Sequence, residues 1–319
     1  MSENGHSREG FSSLRQGGLR FTSLPMRLFL KGNRLFWNPA ELDFSKDAED
    51  WEQLSDNERL GAIQLAALFE AGEEAVTSDI QPFIGAMAAE GRLEDEMYLT
   101  QFAFEEAKHI EMFRRWLDAI GETGDLHQHV DGNPGYRKIF YELLPESMQR
   151  LATDPSPAAQ VRAAVVYNQV VEGVLALTGY HSWHRATVEQ GIMPGMQEAV
   201  KLIARDERRH MAWGTFTCRR HIAGDHSLWQ VVQDTLDEML APALSIIDVT
   251  FDQYEQQGLE FPFGITREEL STFATSQFSR RLEVIEAAKK RSVAEVEGAE
   301  EEEDLENQLE KESLEGVSA

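Results

Sequence analysis

The chain is 319 residues long, with 56 acidic against 30 basic side chains and a formal net charge of −26. That balance argues against nucleic acid as a partner, and a single cysteine rules out an internal disulfide framework. No apolar run is long enough to span a membrane and no charged-then-apolar signal segment opens the sequence. A cytoplasmic protein with one large core is therefore expected.

Residues 1–40 read as a leader arm, with Arg8, Arg15, Arg20, Arg27, Lys31 and Arg34 all before Trp37. Such a segment either lies against the acidic body or packs loosely beside it. Ser55 and Glu58 form a capping box that opens a helix reaching about Ile80, just before Pro82. Its stripe Ala62, Ala66, Phe69, Glu73, Val76 and Ile80 selects Glu73 over Glu70 and Glu74. A second helix is predicted from Leu93 to Ile120, ending at Gly121. Its stripe is Leu99, Phe102, Glu106, His109, Phe113, Trp116 and Ile120, with two ionisable residues at its centre. Residues 122–135 form a connection that carries His127 and His129, and a short helix follows from Tyr136 to Leu151.

Ser156 with Pro157 is an N-cap and first-turn pair. It starts a third long helix that extends toward Trp183, in which Glu172 is the only carboxylate between Val161 and Leu177. Gly191 to Gly195 break the chain before a fourth helix, which ends near Gly224 and carries Val200, Ile203, Glu207, His210 and Gly214 on one stripe. A helix from about Ser227 to Gln257, kinked at Pro242, and a last one behind a Thr266/Glu269 capping box complete a body of residues 41–291. Residues 292–319 hold eleven acids against Lys311 and no aromatic residue, the composition of a solvated, disordered tail. Strand alternation is almost absent. The fold class is all-α.

Two copies of Glu-x-x-His stand out, Glu106/His109 and Glu207/His210, 101 residues apart. Each follows a carboxylate on a separate helix: Glu73 lies 33 residues before Glu106, and Glu172 lies 35 before Glu207. Residues i and i+3 share a helix face, so both side chains of each pair can enter a bundle core. A lone Glu-x-x-His means little; a third copy, Glu3/His6, sits in a polar segment. The apolar stripes change the reading, because an unpaired buried carboxylate costs several kcal/mol even after relaxation. Four at matching depth need cations, and two divalent ions with two neutral imidazoles satisfy the set. This is the ligand pattern with which a four-helix bundle holds two metals. A site rich in carboxylate and free of thiolate suits iron and manganese. Cys218 is eight residues past His210 and about 80° off its direction, so it reads as a packing residue; His181, nine past Glu172, faces away. The Glu-then-Glu-x-x-His order occurs twice at nearly equal spacing, suggesting two related helix hairpins, though the surrounding residues show no further repeat.

With this ligand set the chain resembles the ferritin-like dimetal carboxylate proteins, and within them the small, metal-bearing subunit of class I ribonucleotide reductase. Residues 55–220 carry the likeness through their ligand spacing. The segment from Arg27 to Pro39 (RLFLKGNRLFWNP) is similar to the leader of one branch, the ligand-binding oxidases related to that subunit, which carry a manganese/iron cofactor. Three departures from a reductase subunit favour that branch. Phe113 stands where a tyrosyl radical would, four residues after the first histidine, which excludes only the tyrosyl-radical type. Glu73 replaces the usual aspartate. The acidic tail has no tyrosine to relay a radical to a large subunit.

The resemblance implies a ferritin-like four-helix bundle with additional helices, assembled as a homodimer, and an oxidase that activates O₂ with one manganese and one iron, di-iron being the alternative. Paired metals roughly 3.5–4 Å apart can reduce O₂ together. It also implies a tunnel for a long-chain fatty acid or similar hydrophobic ligand, and a self-made ether between Val76, three residues after the first ligand, and Tyr167, five before the third carboxylate. Without the resemblance, Val76 reads as core packing and Tyr167 as a buried hydroxyl, since an ideal helix puts Tyr167 about 140° from Glu172. Small positions such as Ala66, Ala103, Gly173 and Gly214 leave room for the ligand or simply permit close helix packing. The rival readings are a manganese/iron reductase subunit, which needs a large-subunit partner, and a ferritin-type iron store, which would form a cage.

Overall fold

The computed structural model describes residues 10–298, and among these it contains helices and no strand. Eleven helical segments of note run in chain order. They are α1 (Leu24–Arg34), α2 (Ser45–Trp51), α3 (Asp56–Asp79), α4 (Gln81–Glu90), α5 (Leu93–Ala119), α6 (134–150), α7 (157–188), α8 (Pro194–Gly224), α9 (Trp229–Gln256), α10 (Arg267–Glu286) and α11 (Val293–Glu297). The core is ferritin-like. α3 packs along α5 and the middle of α7 along α8, and α9 and α10 cover the outer side of α7. The two hairpins expected from the ligand order are therefore the two halves of the bundle.

Local sequence explains the boundaries. The Ser55/Glu58 box is fully formed, the serine side chain accepting from Glu58 N–H and the glutamate from Ser55 N–H. The chain does not break after α3. Ile80 turns it and Pro82 starts α4 in the first turn, where its missing N–H costs nothing. Only half of the second box forms. Thr266 Oγ1 accepts from Glu269 N–H, while the Glu269 carboxylate turns to Nε2 of His181, 2.7 Å away. Helix α9 continues through Pro242, and Gly135 lets the start of α6 lie against the carbonyl of that proline.

The start of α8 is held by α2. Buried Asp47 accepts backbone N–H groups from Gly195 and Met196, both at 2.8 Å, and the Trp116 indole at 3.2 Å. A carboxylate at a helix N-terminus satisfies donors that the helix leaves free. Gly195 is needed because a Cβ there would press on the Asp43 carbonyl. This contact fixes the register of the helix that carries Glu207 and His210.

Near both ends of the described residues, segments outside the expected 41–291 body pack against it. Leu24, Met26, Leu28 and Trp37 are buried, and α1 packs on α5 and α8. The stretch 24–39 is thus part of the body, because its own apolar stripe outweighs its basic bias. The body also extends past residue 291. Ser292 and Glu295 form a capping box, Val296 is buried, and Glu297 pairs with Arg92 at 2.8 Å. The rest of the acidic segment, and Glu3/His6, lie outside the described residues.

Candidate metal centre

Glu73 stands on α3, Glu106 and His109 on α5, Glu172 on α7, and Glu207 and His210 on α8. All six are buried, none more than 6% exposed. Nδ1 of His109 lies 3.2 Å from Glu73, 3.8 Å from Glu106 and 3.5 Å from Glu207. Nδ1 of His210 lies 3.0 Å from Glu106, 3.5 Å from Glu172 and 3.6 Å from Glu207. Two four-residue groups result, Glu73–Glu106–His109–Glu207 and Glu106–Glu172–Glu207–His210, each with its ligand atoms within 4.8 Å of one another. Glu106 and Glu207 belong to both, the position of bridging carboxylates.

The far nitrogens show how the rings are aimed. Nε2 of His210 is 2.9 Å from Glu105, and Nε2 of His109 is 3.4 Å from Asp206. With Nε2–H donating outward to a carboxylate, each Nδ1 lone pair faces the cluster, the arrangement of metal-binding histidines. The supports are reciprocal: Glu105 of α5 holds the histidine of α8, and Asp206 of α8 holds the histidine of α5. Lys108 reaches Asp206 at 2.8 Å, and Arg209 reaches Glu105 at 2.6 Å and Asp206 at 2.7 Å. Trp37 donates its indole N–H to Asp206 at 2.7 Å, and Phe102 stacks on His210 with centroids 3.5 Å apart. Glu105, Lys108, Asp206, Arg209 and Trp37 are functional neighbours that ligand spacing alone does not single out. The signal was nevertheless present. Residues 105–109 and 206–210 both read acid–Glu–x–base–His, a repeat around the two motifs that the wider sequence does not continue.

Tyr167 reaches the site through an unusual helix. Residues Val165–Ala176 are π-helical, and Leu177 N–H bonds back to Glu172 O, five residues earlier. In this geometry residues five apart stack one turn above another, so Tyr167 shares the face of Glu172 rather than standing about 140° away. Its hydroxyl donates to Oε1 of Glu106 at 3.1 Å.

Electrostatics show what the cluster is suited to hold. Burial raises Glu73 well above the ordinary carboxylate range, against the pull of His109. Glu172 is pushed up to about 8 by burial and then by the charge of Glu207. Glu106 goes the other way: burial raises it, but hydrogen bonds from His109 and His210 outweigh that. Burial lowers both histidines, yet their acidic neighbours win and raise them. Protons are thus held where cations belong, with Oε1 of Glu172 and Oε2 of Glu207 buried and unpartnered. Four carboxylates and two inward nitrogens fit two divalent ions.

A cavity of about 160 Å³ opens beside the carboxylates. Glu73, Glu106, Glu172 and Glu207 line it with Val76 and Tyr167, and Leu65, Leu68, Phe69, Val171, Leu175 and Phe251 form much of its wall. The glycines on its surface are Gly61, Gly72 and Gly179. Gly173 and Gly214 instead take neighbouring side chains, Arg281 and Asn168. Phe113 stacks on Phe69, 5.3 Å away. Cys218 is buried, its thiol pushed up to about 12 by burial, and takes no part. His181 serves Glu269, and the His127 side chain is exposed.

Bundle and cluster together define a ferritin-like dimetal-carboxylate protein. Residues 26–290 match the family model of the ribonucleotide reductase small chain, and the chain belongs to that oxidoreductase family, on the side of its R2-like ligand-binding oxidases. It is 40% identical to the R2-like ligand-binding oxidase from Sulfolobus acidocaldarius, with a TM-score of 0.82 over 90% of this chain and 98% of that one. A second R2-like ligand-binding oxidase, solved with an aerobically reconstituted Mn/Fe cofactor, is 36% identical, with a TM-score of 0.83 over 88% of this chain and 98% of that one. Among the described residues no helix is long and apolar enough to cross a membrane.

Proposed function

We propose that this protein is a cytoplasmic, homodimeric oxidase that activates O₂ with one manganese and one iron. Glu73, Glu106, His109, Glu172, Glu207 and His210 are its metal ligands. Bound there, the two metals would supply electrons to dioxygen and a strongly oxidising centre. The chain's own residues do the rest. Glu106 and Glu207, which belong to both groups, would be shared by the two metals; Asp206 and Glu105 accept from the far nitrogens and so aim both imidazoles; Phe102, Phe69 and Phe113 keep water out.

A long-chain fatty acid, or a ligand of similar chemistry, occupies the cavity with its carboxylate toward the metals. The observation that carries this is the cavity itself, in which metal-facing carboxylates meet an apolar wall. About 160 Å³ accommodates on the order of ten water-sized groups, enough for much of an alkyl chain. Val76 and Tyr167 line the same cavity and become joined by an ether. The Tyr167 O–H and a Val76 C–H bond break, a C–O bond forms, and two electrons and two protons pass to dioxygen.

The test is peptide mass mapping after anaerobic loading with manganese and iron, followed by exposure to air. Linked peptides bearing Val76 and Tyr167, lighter by two hydrogens, are expected; Tyr167→Phe and anaerobic samples should give separate peptides. Separate peptides from fully metallated, air-exposed protein would contradict the cross-link. Lipid extraction of the same sample should release a fatty acid at near one per chain.

A further inference from the structure

Of the four cluster carboxylates, Glu172 alone accepts a hydrogen bond from a side-chain amide. Nδ2 of Asn168 donates to its Oε2 at 2.9 Å. Four residues separate the two within the π-helical segment, so they lie side by side. Asn168 is fully buried, and its own carbonyl Oδ1 has no partner. An unpaired buried carbonyl is costly, and turning the amide over would set Oδ1 against the carboxylate. The orientation is thus kept for the sake of the bond to Glu172. Across from it, α8 presents Gly214, where even a Cβ would overlap Cβ, Cγ and Oδ1 of Asn168. The asparagine occupies the space that a side chain at position 214 would take. The other carboxylate oxygen, Oε1, is unpartnered and 3.5 Å from Nδ1 of His210.

We propose that Asn168, seated in the Gly214 notch, is a positioning residue that ties up Oε2 of Glu172, so that Glu172 offers the second metal a single oxygen. A chelating Glu172 would fill a further position on that metal. With Oε2 held, that position would stay open, when metal is bound, for the oxidant or the ligand headgroup. The inference rests on the six residues being a two-metal site.

The test uses Mn(II) alone, added anaerobically to the full-length protein, with binding followed by titration and carboxylate binding mode by infrared difference spectroscopy. Wild type should take up two equivalents and show a one-oxygen carboxylate band. Asn168→Leu, and Asn168→Ala as the variant that adds no bulk, should weaken the second equivalent about 10- to 100-fold while leaving the first within about three-fold. The one-oxygen band should move to a chelating position. Gly214→Ala, which dislodges the amide without removing it, should do the same. Unchanged second-site affinity and band in a folded Asn168→Ala protein would overturn the positioning role alone. Equal weakening of both equivalents with an unmoved band would also overturn it, by making the residue merely structural. A wild type that binds fewer than two equivalents would overturn the two-metal reading itself.

Discussion

Replacing Glu105 by leucine removes a carboxylate that binds nothing but other protein groups. In the wild type it accepts from Arg209 at 2.6 Å and from His210 at 2.9 Å, with both acceptor oxygens shielded from water. Arg209 is 1% exposed and would keep Asp206 as its one acidic hydrogen-bond partner, with the Arg205 carbonyl at 3.0 Å. The His210 Nε2–H would keep nothing. Breaking a buried charge pair from one side costs about 3–5 kcal/mol. With an unfolding entropy of about 2 cal/mol/K per residue, the described body loses roughly 5–8 °C of melting temperature. The metal effect is separate. Without Glu105 the second imidazole is neither oriented nor made more basic, so the second Mn(II) equivalent should bind about 10- to 100-fold more weakly. Differential scanning calorimetry of metal-free protein and anaerobic Mn(II) titration measure the two effects. Lys46→Ala, which cuts a surface pair with Asp50, is the control and should move neither quantity measurably. If Glu105→Leu melts within a degree of wild type and binds the second metal equally well, the reciprocal support of the histidines is wrong.

Glu172→Ala should remove at least one metal per chain by elemental analysis; retention of both ions with an unchanged spectrum would show that Glu172 is no ligand. Metal-free protein should lose stability as pH rises from about 5 to 8. Glu172, held near 8 by burial and Glu207, and Glu73, Glu207 and the two histidines, also raised, bind more protons folded than unfolded in that window. Loading with Mn(II) should abolish that slope, and melting curves across the range check both halves. Truncation before Ser292 should lower the melting temperature by removing Val296 from the core and Glu297 from Arg92, whereas truncation after Gly298 should not; equal melting of the two would make α11 dispensable.

The cluster of four glutamates and two histidines was legible because helical periodicity is local. An acid at the centre of an apolar stripe is anomalous whatever lies opposite, and four such acids in a repeating order are hard to explain without cations. Tyr167 shows where that logic stops. Its angle to Glu172 depends on the helix being π rather than α, and ideal α-helical rotation aims it elsewhere. Glu105 and Asp206 were obscured for another reason. A residue next to a ligand leaves its own helix face and meets the neighbouring helix, so its partner depends on packing that one strand of sequence does not encode. Asn168 is harder still, since its role needs the absent side chain at Gly214, 46 residues away. At the ends, composition misled: a basic leader and an acidic tail both hid short amphipathic helices whose few apolar residues, Leu24, Leu28 and Val296, dock on the body.

The central claim is that six side chains hold two different metals. Anomalous diffraction at the manganese and iron edges, on crystals of aerobically metallated protein, addresses it directly. The prediction is two peaks, one manganese and one iron in either order, one peak among Glu73, Glu106, His109 and Glu207 and the other among Glu106, Glu172, Glu207 and His210. A single peak, or metals bound outside these two groups, would contradict it.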